Sequence, residues 1–260
     1  MKRFSFLIVS LAFLLALLGI WHWAIVFFHV PPYLLPKPGA VVDALWGGLV
    51  RSGGFYPHIG ATLHSTVTGY AIGCALALVA GTLLAEFPRA ERLLTPYIVA
   101  LQSMPKVALA PLIIVWFGYD IASKIVMVAL ICFFPVFVNT VVGLKSVDRN
   151  LLALYRVFSA SRLSILLNVK VPAAAGSIFA GLQIAVVMAL IGAVVAEFVA
   201  SRAGLGNLIQ ASAVSLDVAT MFACVLLLAL IGVGGSWLLR TLHRRVVFWE
   251  KSDARTTTEA

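Results

Sequence analysis

The chain has 260 residues, of which 62% are hydrophobic and 11% charged, against about 25% charged in a soluble domain. Mean hydropathy is +1.05, so the composition excludes a soluble globular domain and marks an integral membrane protein. The formal net charge of +9 does not indicate nucleic acid, because the basic residues sit in the gaps between apolar spans, as membrane insertion requires.

About 20 apolar residues in helical form cross a hydrocarbon core of roughly 30 Å. Six segments meet this length: Phe4–Phe28, Ile59–Ala85, Leu93–Phe117, Ile121–Leu144, Gly176–Val199 and Val218–Leu239. The first carries Lys2 and Arg3 like a secretory leader, but its apolar run exceeds the usual 7–15 residues of an h-region. It is expected to be an uncleaved helix (4–28). Segment 29–58 follows on the outer side. Its prolines at 31, 32, 36 and 38 keep the start extended, and Val41–Val50 reads as a short amphipathic surface helix.

The second span carries Gly69, Gly73, Ala77 and Gly81 four residues apart, a stripe that favours close helix packing. His64, on the same span, is expected to be a packed, hydrogen-bonded residue. The third span contains Gln102-Ser103-Met104-Pro105-Lys106. Pro105 and Pro111 loosen it, and freed carbonyls can line a cavity. Lys106 is either a cation beside a solute pathway or a lysine that pairs with a carbonyl or snorkels. Lys124 in the fourth span is expected to snorkel. Asn139, after Pro135, is expected to hydrogen-bond between helices. Cys74, Cys132 and Cys224 lie inside spans without pairing or metal-ligand spacing and read as small buried hydrophobes.

Residues 145–172 form the longest polar interruption, with Lys145, Arg149, Arg156, Arg162 and Lys170 against Asp148. Leu151, Leu152, Leu154, Tyr155, Phe158, Leu163, Ile165, Leu166 and Val169 recur at helical spacing. Ser159-Ala160-Ser161 breaks them into two short helices, and Pro172 is expected to open the fifth span. An apolar face on a basic loop indicates a docking surface as well as a connector. Glu197, at the outer end of the fifth span, either latches an outer gate or is simply interfacial. Beyond it, Gly204-Leu205-Gly206 forms a turn into a second short outer helix at Asn207-Leu208-Ile209. The end of the chain, 241–260, reads as a solvated tail.

Lys and Arg set the orientation. With both termini cytoplasmic, the inside segments hold fourteen basic residues and the outside segments hold three, Lys37, Arg51 and Arg202. This asymmetry predicts cytoplasmic N- and C-termini. The expected fold is an all-α polytopic membrane protein: one domain over 1–260, six transmembrane helices with a core over 59–240, and short cytoplasmic helices between the fourth and fifth.

At 153–172 the chain resembles the inner-membrane permease subunits of binding-protein-dependent ABC importers, above all the nitrate/sulfonate/taurine type. That family's loop signature is Glu-Ala-Ala, three residues, Gly, nine residues, Ile-x-Leu-Pro. Here the matching positions are Ala153-Leu154-Tyr155, Ser159 and Val169-Lys170-Val171-Pro172. The segments at 110–118, 133–140, and 195–198 with 204–206 are also similar to family segments, in order. The resemblance implies a non-catalytic subunit of the bacterial cytoplasmic (inner) membrane. Its partners would be two ATP-binding subunits, a periplasmic or lipoprotein solute-binding protein and a second permease copy, identical or related. ATP and Mg would sit on the separate ATPase, with no cofactor on this chain. The coupling residues implied are Ala153, Leu154, Tyr155, Arg156, Phe158, Ser159, Ala160, Arg162, Leu163 and Pro172. Pathway candidates are Gln102, Ser103, Met104, Lys106, Asn139 and Glu197. The solute implied is a small anion such as a sulfonate, taurine or nitrate, or else a pyrimidine precursor. Two positions depart from the signature. Ala153 cannot cap or pair as Glu does, and Ser159 tolerates positive φ less well than Gly. An ion-coupled transporter needs intramembrane carboxylates and inverted repeats, and a membrane-embedded enzyme needs convergent His, Asp or Glu; the sequence offers neither pattern.

Overall fold

The structure is a computed structural model that describes residues 2–199 and 201–249, excluding the side chains of residues 2–7, 10, 11, 149 and 156. Every regular element among the described residues is helical. Four helices there are long and apolar enough to cross a membrane, and one bent pair makes a fifth candidate. The contacts divide the chain into two compact units, Met1–Ala61 with Arg202–Ala229, and Thr62–Ser201 with Leu230–Ala260.

In the first unit, α1 (Lys2–Phe27) carries the apolar stretch Ala12–Phe27. Trp21 meets Phe222 with ring centroids 5.6 Å apart. The short helix expected over Val41–Val50 forms as α2 (Pro38–Trp46), begun by Pro38 at its first position, where a missing N–H costs least. A wide turn over Gly47–Arg51 extends it. Helix α3 (Phe55–Glu86) starts in this unit. The short helix expected after Gly204-Leu205-Gly206 is α10 (Leu205–Val214), entered through Gly204 at φ 132°. His58 Nδ1 lies 2.9 Å from the Gly204 carbonyl oxygen. Asp217 caps α11 (Val218–Val246) by accepting from the backbone N–H and hydroxyl of Thr220.

In the second unit, α6 (Ile121–Lys145) packs along α9 (Val171–Val199). Ala185, Ala189 and Ala193 of α9 and Val128, Cys132 and Val136 of α6 are fully buried. Small residues let the helix backbones approach closely, the usual source of helix association in lipid. The glycine stripe of α3 lies against α6. A Cβ on Gly73 would stand 2.5 Å from the Ala129 carbonyl oxygen, and one on Gly69 would stand 2.5 Å from the Val128 Cβ.

Two expected spans take a different form. Leu93–Phe117 is not one helix. It is α4 (Pro88–Ser103), a tight turn Lys106–Leu109 and α5 (Ala110–Phe117), bent by 82°. Met104 takes an extended backbone with ψ 135°, because the ring of Pro105 disfavours the helical region for the residue before it. Pro105 therefore breaks the span, while Pro111 lies in the first turn of α5, where a missing N–H costs least. Nor does the fifth span begin at Pro172. After α7 (Arg149–Val157), the helix α8 (Arg162–Ile165) runs through a widened stretch, Leu166–Lys170, directly into α9. Together they form one 38-residue helix, Arg162–Val199. A proline inside a helix collides with the carbonyl four residues back. The five-residue spacing just before Pro172, in which the Val171 N–H reaches the Leu166 carbonyl, widens the turn where that collision would fall.

Candidate functional site

The loop 145–172 is anchored at both ends. Lys145 pairs with Glu91 at 2.5 Å and Lys170 with Glu86 at 2.5 Å. Asp148 caps α7 by accepting from the Asn150 N–H at 2.8 Å. Ser161 caps α8 by accepting from the Ser164 N–H at 3.2 Å. Between the caps, the Ala160 N–H reaches the Tyr155 carbonyl at 3.1 Å and Ser159 sits at φ 55°. That is the left-handed region which glycine occupies freely and other residues enter at a cost of about 1–2 kcal/mol. The serine thus adopts the backbone for which a glycine is suited.

This turn presents apolar groups to the surroundings. Val157 is 80% exposed, Phe158 76% and Leu163 64%, with Leu154 also exposed. Ala153 and Arg162 are exposed beside them, and Ala160 is half-buried. The Arg156 side chain lies outside the described residues. Ile165 and Val169 turn inward and are buried, which fixes the orientation of the outward set. Half-buried Tyr155 lines a cleft of about 260 Å3 with Asn168, Pro172 and Trp249. Trp249 Nε1 donates to the Pro172 carbonyl at 3.2 Å, holding the last described residue of the tail on the root of the loop.

The intramembrane candidates fall into three places. At the break in the third span, Lys106 Nζ donates to the Gln102 carbonyl at 3.2 Å and stands 4.6 Å from the Phe134 ring centroid. Both contacts are ordinary for a lysine at a helix end, one to a terminal carbonyl and one to an aromatic face. Gln102 and Met104 are exposed, and the Ser103 hydroxyl bonds back to the Val99 carbonyl at 2.9 Å. An apolar cleft of about 450 Å3 opens nearby, with Leu101, Phe133, Phe134 and Phe137 among its lining. Asn139 lies further along α6, its Nδ2 donating to the Pro135 carbonyl at 2.7 Å. This bond stays within α6 and does not bridge helices as expected.

Glu197 is in the third place. It is fully buried and accepts from the Thr62 hydroxyl at 2.8 Å. Lys124 is also buried, donates to the Ser201 hydroxyl and interacts electrostatically with Glu197. Lys124 therefore does not snorkel, and Glu197 is not an exposed interfacial group. The acid, the lysine and two hydroxyls form a buried polar cluster joining α3, α6 and the end of α9. Sequence inspection passed over Thr62 and Ser201, and also Glu86, Glu91 and Trp249. The one available signal was a pair of charges, Lys124 and Glu197, near the same end of two predicted spans.

Residues 73–248 match the family described as binding-protein-dependent transport system inner membrane component. The riboflavin transport system permease protein RibX of Chloroflexus aurantiacus is 36% identical over 92% of this chain and 89% of its own length. The formylaminopyrimidine transport permease protein ThiX of Halalkalibacterium halodurans is 34% identical over 96% and 99%. The putative aliphatic sulfonates transport permease protein SsuC of Bacillus subtilis is 32% identical over 84% and 79%. Among solved structures, the MetNI methionine ABC transporter in an inward-facing form aligns with a TM-score of 0.58 at 16% identity, over 80% of this chain and 98% of that chain; this likeness concerns the fold. The chain belongs to the inner-membrane permease family of binding-protein-dependent ABC importers, as a non-catalytic transport subunit.

Proposed function

We propose that this permease forms the solute pathway of an ATP-driven importer in a bacterial cytoplasmic membrane and couples to a separate ATPase through residues 145–172. The observation that carries this proposal is the exposed apolar turn of Leu154, Val157, Phe158 and Leu163, fixed by two side-chain caps and by Ser159 at φ 55°. An exposed apolar patch held in one shape serves a partner better than it serves water. The complete complex has two such permeases, two ATP-binding subunits that hold ATP and Mg, and a solute-binding protein on the outer side. The fold crosses the membrane six times, with α1 first and the broken α4–α5 third. Both termini are cytoplasmic, in keeping with fourteen basic residues against three. Residues 1–260 act as one transmembrane domain, and no cofactor binds this chain. The second permease is an identical or a related copy; purification of the complex from the native host, followed by mass spectrometry of its permease subunits, separates the two. Replacing Phe158 or Leu163 by Asp is expected to abolish solute-stimulated ATP hydrolysis while leaving membrane insertion intact. Normal stimulation in either variant would overturn the coupling role.

The pathway residues proposed are Gln102, Ser103, Met104, Lys106, Asn139 and Glu197, with Lys106 drawing a small anion such as a sulfonate, taurine or nitrate. A second reading, a planar heterocycle such as a pyrimidine precursor, is favoured by the similarity to ThiX and RibX. Uptake of labelled taurine and of labelled formylaminopyrimidine separates the two. Unchanged anion uptake by Lys106→Ala removes Lys106 from the pathway.

A further inference from the structure

A basic cleft of about 430 Å3 lies between α9 and the end of α11, lined by Gly176, Ala180, Gln183, Arg240, His243 and Arg244. Gly176 and Ala180 leave the room. His243 is fixed by stacking on Phe179, with ring centroids 4.7 Å apart and planes 14° from parallel. Arg240 and Arg244 make no ion pair among the described residues, and no carboxylate lines the cleft. Cations at a helix C-terminus ordinarily complement the helix dipole, but that does not account for what lies beside them. Residues 230, 233, 237, 240 and 244 share one face of α11, being three or four apart. Along that face Leu230 (67%), Val233 (68%) and Trp237 (67%) are exposed, and exposed Arg240 and Arg244 follow them. The order is an apolar strip some two turns long, an aromatic ring of the kind that settles at headgroup level, and then paired guanidinium groups with an amide.

We propose that this cleft binds the headgroup of an anionic phospholipid. The phosphate would lie between Arg240 and Arg244, with Gln183 as a further donor, and one acyl chain would run along Leu230, Val233 and Trp237. Arginine forks match phosphate oxygens, and basic pockets between membrane helices suit such headgroups. A free phosphate would match the cations but leave the apolar strip unused. In the orientation proposed above the site faces the cytoplasmic leaflet. Lipid binding itself does not depend on that orientation, nor on the solute or the ATPase.

The test uses the full chain in nanodiscs of equal parts phosphatidylglycerol and phosphatidylcholine, followed by delipidation and native mass spectrometry of retained lipid. Phosphatidylglycerol is expected to be retained over phosphatidylcholine. R240Q/R244Q is expected to weaken its binding about thirtyfold, a little over fivefold per basic group, while R240K/R244K, which keeps the charges and loses the planar forks, weakens it less. The control R89Q/R92Q leaves retention unchanged. V233S/W237S lowers retention with the arginines in place. Equal loss in the control, no selectivity between the two lipids, or full retention in V233S/W237S would overturn the proposal. Displacement of phosphatidylglycerol by inorganic phosphate would make this a free-anion site and would overturn it too.

Discussion

The packing of α3 on α6 gives a sharp prediction, because two glycines of the same helix should respond to alanine with opposite sign. At Gly60 an added Cβ meets nothing within 4 Å, so Gly60→Ala gains only helix propensity, about 0.5–1 kcal/mol. At Gly73 the same Cβ would lie 2.5 Å from the Ala129 carbonyl oxygen and 2.8 Å from its Cα. Both atoms are backbone, so no side chain can swing aside and α3 must retreat from α6. Overpacking of this kind costs about 1–3 kcal/mol, leaving Gly73→Ala destabilised after its own propensity gain. The assay is internal, since Cys74, Cys132 and Cys224 are all buried and free. A thiol-reactive fluorophore added during heating in detergent reports their exposure. Gly60→Ala is expected to melt at or slightly above the parent and Gly73→Ala several degrees below it. A Gly73→Ala protein as stable as Gly60→Ala would refute the close approach of α3 and α6.

Glu197→Ala leaves Lys124 buried beside an uncompensated cavity and is expected to cost about 3–5 kcal/mol, read by the same thiol assay; the double variant K124M/E197L should recover much of it. Ser159→Gly is expected to keep full coupling, whereas Ser159→Val, a β-branched residue forced to φ 55°, should strain the turn by about 1–3 kcal/mol and speed proteolysis between 157 and 161. Trp249→Phe removes the bond to the Pro172 carbonyl, worth about 1 kcal/mol, and should raise amide hydrogen exchange in 166–173 without affecting 185–193.

The helical spans and the exposed apolar turn were legible because each is a local pattern. Apolar run length defines α3, α6 and α11, and the spacing of Leu154, Phe158 and Leu163 defines an apolar face. The Gly69–Gly81 stripe announced a close contact, though not with which helix. What escaped depends on backbone continuity or on distant partners. A hydropathy window registers Pro105 and Pro172 as similar interruptions. Yet the first breaks its span by 82°, while the second is absorbed by a widened turn. That difference rests on the residues before each proline: Met104 goes extended, but Leu166–Lys170 stays helical at a wider pitch. The Thr62–Glu197 bond joins groups 135 residues apart, so no local rule finds it. For the same reason the sequence alone leaves Glu197 open between a gate latch and an interfacial carboxylate, and suggests a snorkelling lysine at Lys124.

The unbroken helix Arg162–Val199 has a mechanical consequence. At 1.5 Å per residue its 38 residues make a rod about 57 Å long, nearly twice the roughly 30 Å hydrocarbon core. One end carries Leu163, beside the exposed turn, and the other carries the buried carboxylate of Glu197. Its one irregular stretch, Leu166–Lys170 followed by Pro172, lies close to the Leu163 end, and wide turns and prolines are where helices bend. The regular helix beyond it joins that stretch to Glu197, so a shift at the root of the loop is expected to move the buried acid's end of α9 with it.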